Sequence, residues 1–344
     1  MERKLLSIQK IEYVKQITDA DKIEMILVLG WECVAEKGKF KPMYLALYFE
    51  IDSLIPRESW SEFLFKITDK KDYRLRTTKF SGQISQGLII PFSLLDEEGY
   101  NDSKEIGTDV SLFLNIKKYE PTITAIIGGC TATSFPSVVT KTDEMRVQSF
   151  PDVLKEVNGK NVYVSTKLDG MSITVYFFEG HLGVCTRNLE LNENKDYLKK
   201  DNTLWKIVYE HNLSEKLYSL DEPFAIQGEL VGPGISKNPL NLKKSEWFVF
   251  NVYNIKKGCY LDEPDFIEFC KEMDLPTVPV EEITVAKDWS VEQLLERTKG
   301  LYEGTTHQKE GIVIRPVRES YSETLKGRLS FKVINNDYLL SMGS

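Results

Sequence analysis

A chain of 344 residues, 42% hydrophobic and 28% charged, has material for two cores and the make-up of a globular protein. No uninterrupted apolar run approaches the roughly 20 residues that cross a bilayer, and the opening Met1 to Ser7 lacks the apolar core and cleavage site of a secretory signal, so a cytoplasmic protein without membrane association is expected. The net charge of −8 weighs against polynucleotide binding unless local patches override it.

In chain order, residues 1–115 read as mostly strand. Ile8–Val14, Ile23–Val28, Trp31–Ala35, Tyr44–Phe49 and Gln86–Ile90 are short β-branched or aromatic segments, punctuated by turn-formers such as Gly30, Gly38-Lys39, Lys41-Pro42 and Gly82. That spacing predicts a small barrel, and a five-stranded OB fold fits the length. The less regular stretch 116–135, with Gly128-Gly129, is the expected linker. Residues 136–344 alternate strand and helix. Val162–Ser165, Ser172–Phe178, Phe224–Glu229, Trp247–Tyr253 and Gly311–Ile314 are predicted strands; Leu198–Asn212, Pro264–Met273 and Ser290–Tyr302 carry helical periodicity. Ser290 with Gln293 is a capping box. No Gly-rich phosphate loop follows a strand, so the second domain reads as α+β with antiparallel sheets.

Two segments are locally basic. Lys66–Lys79 holds six cations against two acids, and Lys309–Lys332 six against three; charge alone fits a solvated face equally well. The cysteines Cys33, Cys130, Cys185, Cys259 and Cys270 form no C-x-x-C pair, and only three histidines are present. Buried reduced thiols are expected rather than a disulfide framework or a zinc site.

The stretch that carries chemistry is Lys167-Leu168-Asp169-Gly170, after the β-branched run Asn161 to Thr166. A lysine attacks a phosphoanhydride only as the free amine, and its ordinary pKa of about 10.4 falls beside a cation or metal, or on burial. Gly170 is expected to let the backbone approach a ligand. Taken alone, Lys167 also fits a surface turn. Glu229 ends a predicted strand and Glu310 precedes one, positions that suit a ribose acceptor, an outer-shell metal partner or a plain exposed acid. Period-two alternation puts Lys332 opposite Phe331 and Val333, facing a phosphate or solvent. It also puts Trp247, Val249 and Asn251 on one face and Phe248, Phe250 and Val252 on the other, where an aromatic could stack on a base or fill a core.

The series Lys167-Leu168-Asp169-Gly170, Thr186-Arg187-Asn188, Gly228-Glu229, Phe248-Val249-Phe250-Asn251, Lys309-Glu310-Gly311 and Phe331-Lys332 resembles the motifs of the covalent nucleotidyltransferases, that is, ATP-dependent polynucleotide ligases and capping enzymes. It is most similar to RNA ligase family 5, the clade with an N-terminal OB domain. Phe135-Pro136, Lys141 to Gln148, Tyr48 to Ser53 and Gly82 to Leu88 resemble further segments of that clade. The resemblance implies an OB-fold nucleic-acid-binding domain over 1–115 and an adenylyltransferase domain over 136–344, with an ATP-grasp-like antiparallel α+β core. It implies that Lys167 takes AMP as a lysyl phosphoramidate. Arg187 and Glu229 would contact the ribose and Phe250 the adenine. Glu310, Asp169 and Glu229 would hold the water shell of Mg²⁺ or Mn²⁺. Lys309 and Lys332 would meet phosphates, Arg146 would orient the nucleotide, and Thr166, Leu168, Asn188 and Ile312 would line it. One departure is Ser330, where many ligases have a lysine; Lys326 or Arg328 could replace that cation. The implied activity is ATP-dependent RNA ligation by a monomer, at a nick in a duplex with RNA on the 3′-OH side. A DNA ligase, a capping guanylyltransferase and a non-catalytic OB-type RNA-binding protein are the alternatives.

Overall fold

The computed structural model describes residues 3–66, 68–120, 132–193 and 203–342. Most of the expected linker (121–131) and the start of the expected Leu198 helix (198–202) lie outside them. The chain divides into two units: Met1–Pro121 with Val147–Pro151 and Leu339–Ser344, and Thr122–Arg146 with Asp152–Tyr338.

The first unit is built from short antiparallel strands. Tyr13–Gln16, Ile23–Val28 and Trp31–Glu36 form one meander. Leu45–Phe49 lies between Leu6–Lys10 and Leu88–Pro91 in a second sheet. Leu45–Phe49 is an unbroken apolar run because both its faces are buried. Leu47 and Phe49 enter a core with Leu6, Ile8 and Ile55, while Ala46 and Tyr48 enter another with Ile26, Val28 and Trp31. Each large side chain so buried contributes about 1.5–3 kcal/mol. The strand expected over Ile8–Val14 is two strands. Ile11 N–H still reaches Tyr44 O, but Glu12 N–H turns to Leu27 O, so the chain changes sheets there. Of the basic run, Arg74 is held by Asp52 at 2.7 Å and stacks 3.6 Å from the Tyr119 ring centre, whereas Lys66, Lys70, Lys71, Arg76 and Lys79 are exposed.

The second unit has two principal sheets. One runs, in order, Ala132–Ser134, Leu189–Leu191, His181–Cys185, Met171–Phe178, Phe224–Val231, Glu246–Asn254, Cys259–Tyr260, all antiparallel. Helices Thr203–Glu210, Leu213–Tyr218 and Glu263–Glu272 cover it, placing Leu204, Trp205, Leu213, Phe266 and Cys270 against Ile173, Ile226 and Val249. The other sheet runs Met145–Arg146, Phe331–Ile334, Gly311–Pro316, Asn161–Lys167, Val280–Val285, with only the first pair parallel. The strand Asn161–Lys167 ends in the second of these sheets and Met171–Phe178 begins in the first, so Leu168-Asp169-Gly170 is the crossover between them. The α+β architecture follows the sequence.

Three local expectations need correction. The helix expected over Ser290–Tyr302 spans only Val291–Arg297. Its capping box is present, with Gln293 N–H donating to Ser290 Oγ at 3.1 Å, but Gly300 and the Leu301–Gln308 bridge turn the chain back toward Glu310. The alternation along Glu246–Asn254 slips: Gly228 pairs with Val249 and Gln227 with Asn251, leaving Phe250 as an extra, bulged residue. Val252 therefore joins Trp247 and Val249 in the core, and Asn251 turns to Gln227 and Arg328. Lastly, among the described cysteines Cys33, Cys185 and Cys270 are buried free thiols, but Cys259 is exposed; Cys130 lies outside the described residues. No described helix is long and apolar enough to cross a membrane.

Candidate active site

Sheet register explains why distant cations share one surface. Arg146 pairs with Lys332, Lys332 with Val313, and Val313 with Ser165. Residues directly opposite each other point to the same side, and so does the residue two further along a strand. Arg146, Lys332 and Lys167 thus project from one face. Thr166, paired with Ile312, belongs to the opposite face, where both side chains are buried and Thr166 donates to Glu281 Oε1 at 2.8 Å. Those two side chains are not brought beside the Lys167 amine.

Lys167 Nζ donates to Glu310 Oε2 at 2.7 Å. Burial works against the charge, but Glu310, Glu229 and Asp169 outweigh it and hold the Lys167 ammonium above the ordinary lysine range. Glu229 is pushed up to about 8 by burial, with Lys167 opposing and the carboxylates Glu310 and Asp169 adding to the rise. Glu310 is raised for the same reasons. Lys332 is pushed down to about 8, first by burial and then by Lys167 and Arg146, although Asp143 Oδ1 at 3.1 Å opposes the fall. Three carboxylates and two lysines therefore share one partly desolvated space, where interactions between charges are strong.

Gly170 sits where the chain passes close to a neighbouring strand. A Cβ there would fall 2.3 Å from Leu230 O, so the crossover itself packs against the strand Phe224–Val231. The Gly170 backbone favours the charged Glu229 carboxylate, against the effect of burial. Gly311 is likewise required, since a Cβ would meet Val333 O at 2.1 Å. Phe248, Phe250 and Leu168 lie with Val231, Val278 and Tyr302 in an apolar cluster, the two phenylalanines half-buried.

Arg187 and Lys332 are both bound to Asp143. Asn188 follows Arg187 in the turn before Leu189. Lys309 is held by Glu281 at 3.0 Å, and Lys326 is exposed beside Glu323 at 3.0 Å. Arg328 is committed to Glu319 at 2.8 Å and Asn251 at 2.7 Å. Ser330 accepts from Arg315 Nε at 3.1 Å and donates to Glu144 Oε1 at 3.2 Å. The buried cation next to that position is Arg315, 2.7 Å from Glu144. Burial would raise Glu144, but Arg315, Arg328 and Lys332 outweigh it and hold the carboxyl at about 2.

A lysine among acids and cations, at the crossover of the two sheets, is an arrangement for nucleotidyl transfer. A family model for RNA ligase matches residues 160–334, and one for an OB-fold domain matches residues 5–92. The Naegleria gruberi RNA ligase with pyrophosphate is 33% identical, over 98% of each chain, with a TM-score of 0.86.

The chain belongs to the RNA ligase family.

A mutant of the Naegleria enzyme with ATP and manganese gives a TM-score of 0.87, and another with AMP and manganese 0.86, each at 33% identity over 98% of both chains. Comparison with curated protein sequences gives no match. Sequence reasoning about this RNA ligase missed Asp143, which joins Arg187 to Lys332, the Glu144–Arg315 pair, and Tyr302. The helical periodicity ending at Tyr302 and the acid pair 143–144 were visible, but their partners lie far along the chain.

Proposed function

We propose that this RNA ligase charges Lys167 with AMP from ATP, passes the AMP to a 5′-phosphate, and joins that end to a 3′-OH. The observation that carries the reading is the Lys167–Glu310 pair at 2.7 Å, next to Lys332 and Arg146 on the same sheet face. The Naegleria enzyme's structures with ATP, AMP, pyrophosphate and manganese support it.

In the first step Lys167 loses a proton, and Glu310 is placed to accept it. The Nζ–phosphorus bond forms at the α-phosphate while the bond to the bridging oxygen breaks, and pyrophosphate leaves with that electron pair. A 5′-phosphate oxygen then attacks the same phosphorus, and Lys167 recovers its electron pair and a proton. Finally the 3′-hydroxyl gives up its proton, its oxygen bonds the 5′-phosphorus, and AMP departs. Lys332 and Arg146 would neutralise phosphate oxygens, Arg187 would leave Asp143 for the nucleotide, and Phe250 would stack on adenine.

Among the described residues no three His, Cys, Asp or Glu side chains stand close enough to ligate a metal directly. The acids Asp169, Glu229 and Glu310, gathered about Lys167, fit a hydrated ion instead. These three acids would hold Mg²⁺ or Mn²⁺, which when bound supplies charge neutralisation at the phosphates. The substrate is a nick in a duplex with RNA on the 3′-OH side, the enzyme acts as a monomer, and exposed cations of Lys66–Lys79 meet the nucleic-acid backbone.

The test is incubation with α-labelled ATP or GTP and a divalent metal, beside Lys167→Ala. Label from ATP, absent in the variant, is expected. Label from GTP would indicate capping chemistry, equal sealing of all-DNA nicks would indicate a DNA ligase, and no label would overturn the reading.

A further inference from the structure

Tyr302 stands 135 residues from Lys167 in sequence, yet its hydroxyl touches both ends of the nucleophile–acid pair. The hydroxyl donates to Lys167 O at 2.9 Å. It accepts from Asp169 N at 3.2 Å and from Glu310 N at 3.1 Å. A phenol has one donor and two acceptor positions, so these three bonds use the hydroxyl completely, and all three go to the backbone of residues that carry the site's charges. The ring is 3% exposed and is fixed among Leu168, Val231 and Val278. The segment that carries it is closed on itself: Tyr302 N–H donates to His307 O at 2.9 Å and Lys309 N–H to Gly300 O at 2.9 Å, directly before Glu310.

We propose that Tyr302 is the positioning residue that holds Lys167 and Glu310 in register for attack on the nucleotide, an inference that rests on the lysyl-AMP reading above. The strand pairing Lys167 with Gly311 sets the two chains side by side, but the crossover after Lys167 and the turn before Gly311 leave the ladder. There the Asp169 and Glu310 amides find their acceptor in one oxygen. Without it, two amides and one carbonyl lose their partner together, and the Nζ–carboxylate geometry relaxes. The three bonds of the Tyr302 hydroxyl all go to backbone atoms, so the loss falls on the chemical step rather than on nucleotide capture.

Tyr302→Phe keeps the ring and removes the hydroxyl. Transfer of label from α-labelled ATP to the protein should slow roughly 10- to 100-fold at saturating ATP, the scale of a small misplacement of reacting groups, while the ATP concentration for half-maximal rate stays within about twofold. Val278→Ala disturbs the same apolar cluster and leaves the hydroxyl in place; it should lower the melting temperature without that loss in rate. Labelling of Tyr302→Phe at the wild-type rate would overturn the inference, as would an equal loss in Val278→Ala, a loss confined to ATP affinity, or a Tyr302→Phe protein that does not fold. Wild type that takes no label sinks the proposed function, whereas a labelled wild type with an unaffected Tyr302→Phe sinks only this inference.

Discussion

The two basic stretches of this chain look alike in sequence and end in opposite circumstances. In Lys66–Lys79 five of the six cations are exposed. In Lys309–Lys332 the strands draw Arg315 and Lys332 inward, where each meets a carboxylate: Glu144 for Arg315, Asp143 for Lys332. Exposed charges are screened over about 8–10 Å and act mainly on affinity. Buried charges shift one another's proton affinities and fix geometry. Charge density read along a sequence does not separate these cases; the alternation of apolar residues around each cation does.

The largest effect that would sharpen this contrast is at Glu144. Replacing it as Glu144→Gln leaves Arg315 buried without its counter-charge, which should cost about 3–5 kcal/mol in unfolding of the second unit, read by denaturant titration. Glu144 is depressed to about 2, so its stabilisation is present above its unfolded value near 4.5 and is lost as pH falls toward 2. The variant should lack that acid dependence. A loss below about 1 kcal/mol, of the size measured for surface pairs, would place the pair with the exposed set.

Glu229 offers an effect of opposite sign. Its carboxyl is raised to about 8, so the folded protein binds an extra proton between about 4.5 and 8. That contribution to stability is complete below 4.5 and disappears as pH rises through 8. Glu229→Gln mimics the neutral acid. Its melting temperature relative to wild type should climb from pH 4.5 to pH 8, then level, by roughly 2–4 °C for each kcal/mol. A difference independent of pH would mean that Glu229 is not held by its neighbours. The smallest effect per residue is expected in the exposed run. Substituting Lys66, Lys70, Lys71 and Lys79 together by Ala should flatten the salt dependence of nick binding, by up to about 0.9 in log–log slope for each phosphate that is no longer neutralised. An unchanged slope would remove the run from the RNA interface.

Much of the fold was legible because apolar alternation and turn-formers are local. Ile23–Val28 and the Ser290–Gln293 cap needed no tertiary knowledge. Lys332 could be placed opposite Phe331 because no bulge interrupts its strand. Asn251 could not, since the extra residue at Phe250 is defined by the neighbouring ladder and leaves no mark in composition. The acids and lysines of the motif series were readable as chemistry, and the structure brings Lys167, Glu229, Glu310 and Asp169 into mutual electrostatic reach. Tyr302 was hidden because its role is a hydroxyl meeting three backbone groups. Glu144 and Arg315 were hidden because 171 residues separate them, and the packing of Gly170 on the Leu230 carbonyl was hidden because that neighbour cannot be seen from sequence.

The crossover at Leu168-Asp169-Gly170 also has a mechanical meaning. The strand that ends at Lys167 belongs to one sheet and the strand that begins at Met171 to the other, with three residues between them. So short a tether, jammed against Leu230, has no slack to absorb a shear of one sheet across the other. Any such sliding would be delivered to the lysine amine itself, which makes the nucleophile a strain gauge for the packing of the whole second unit.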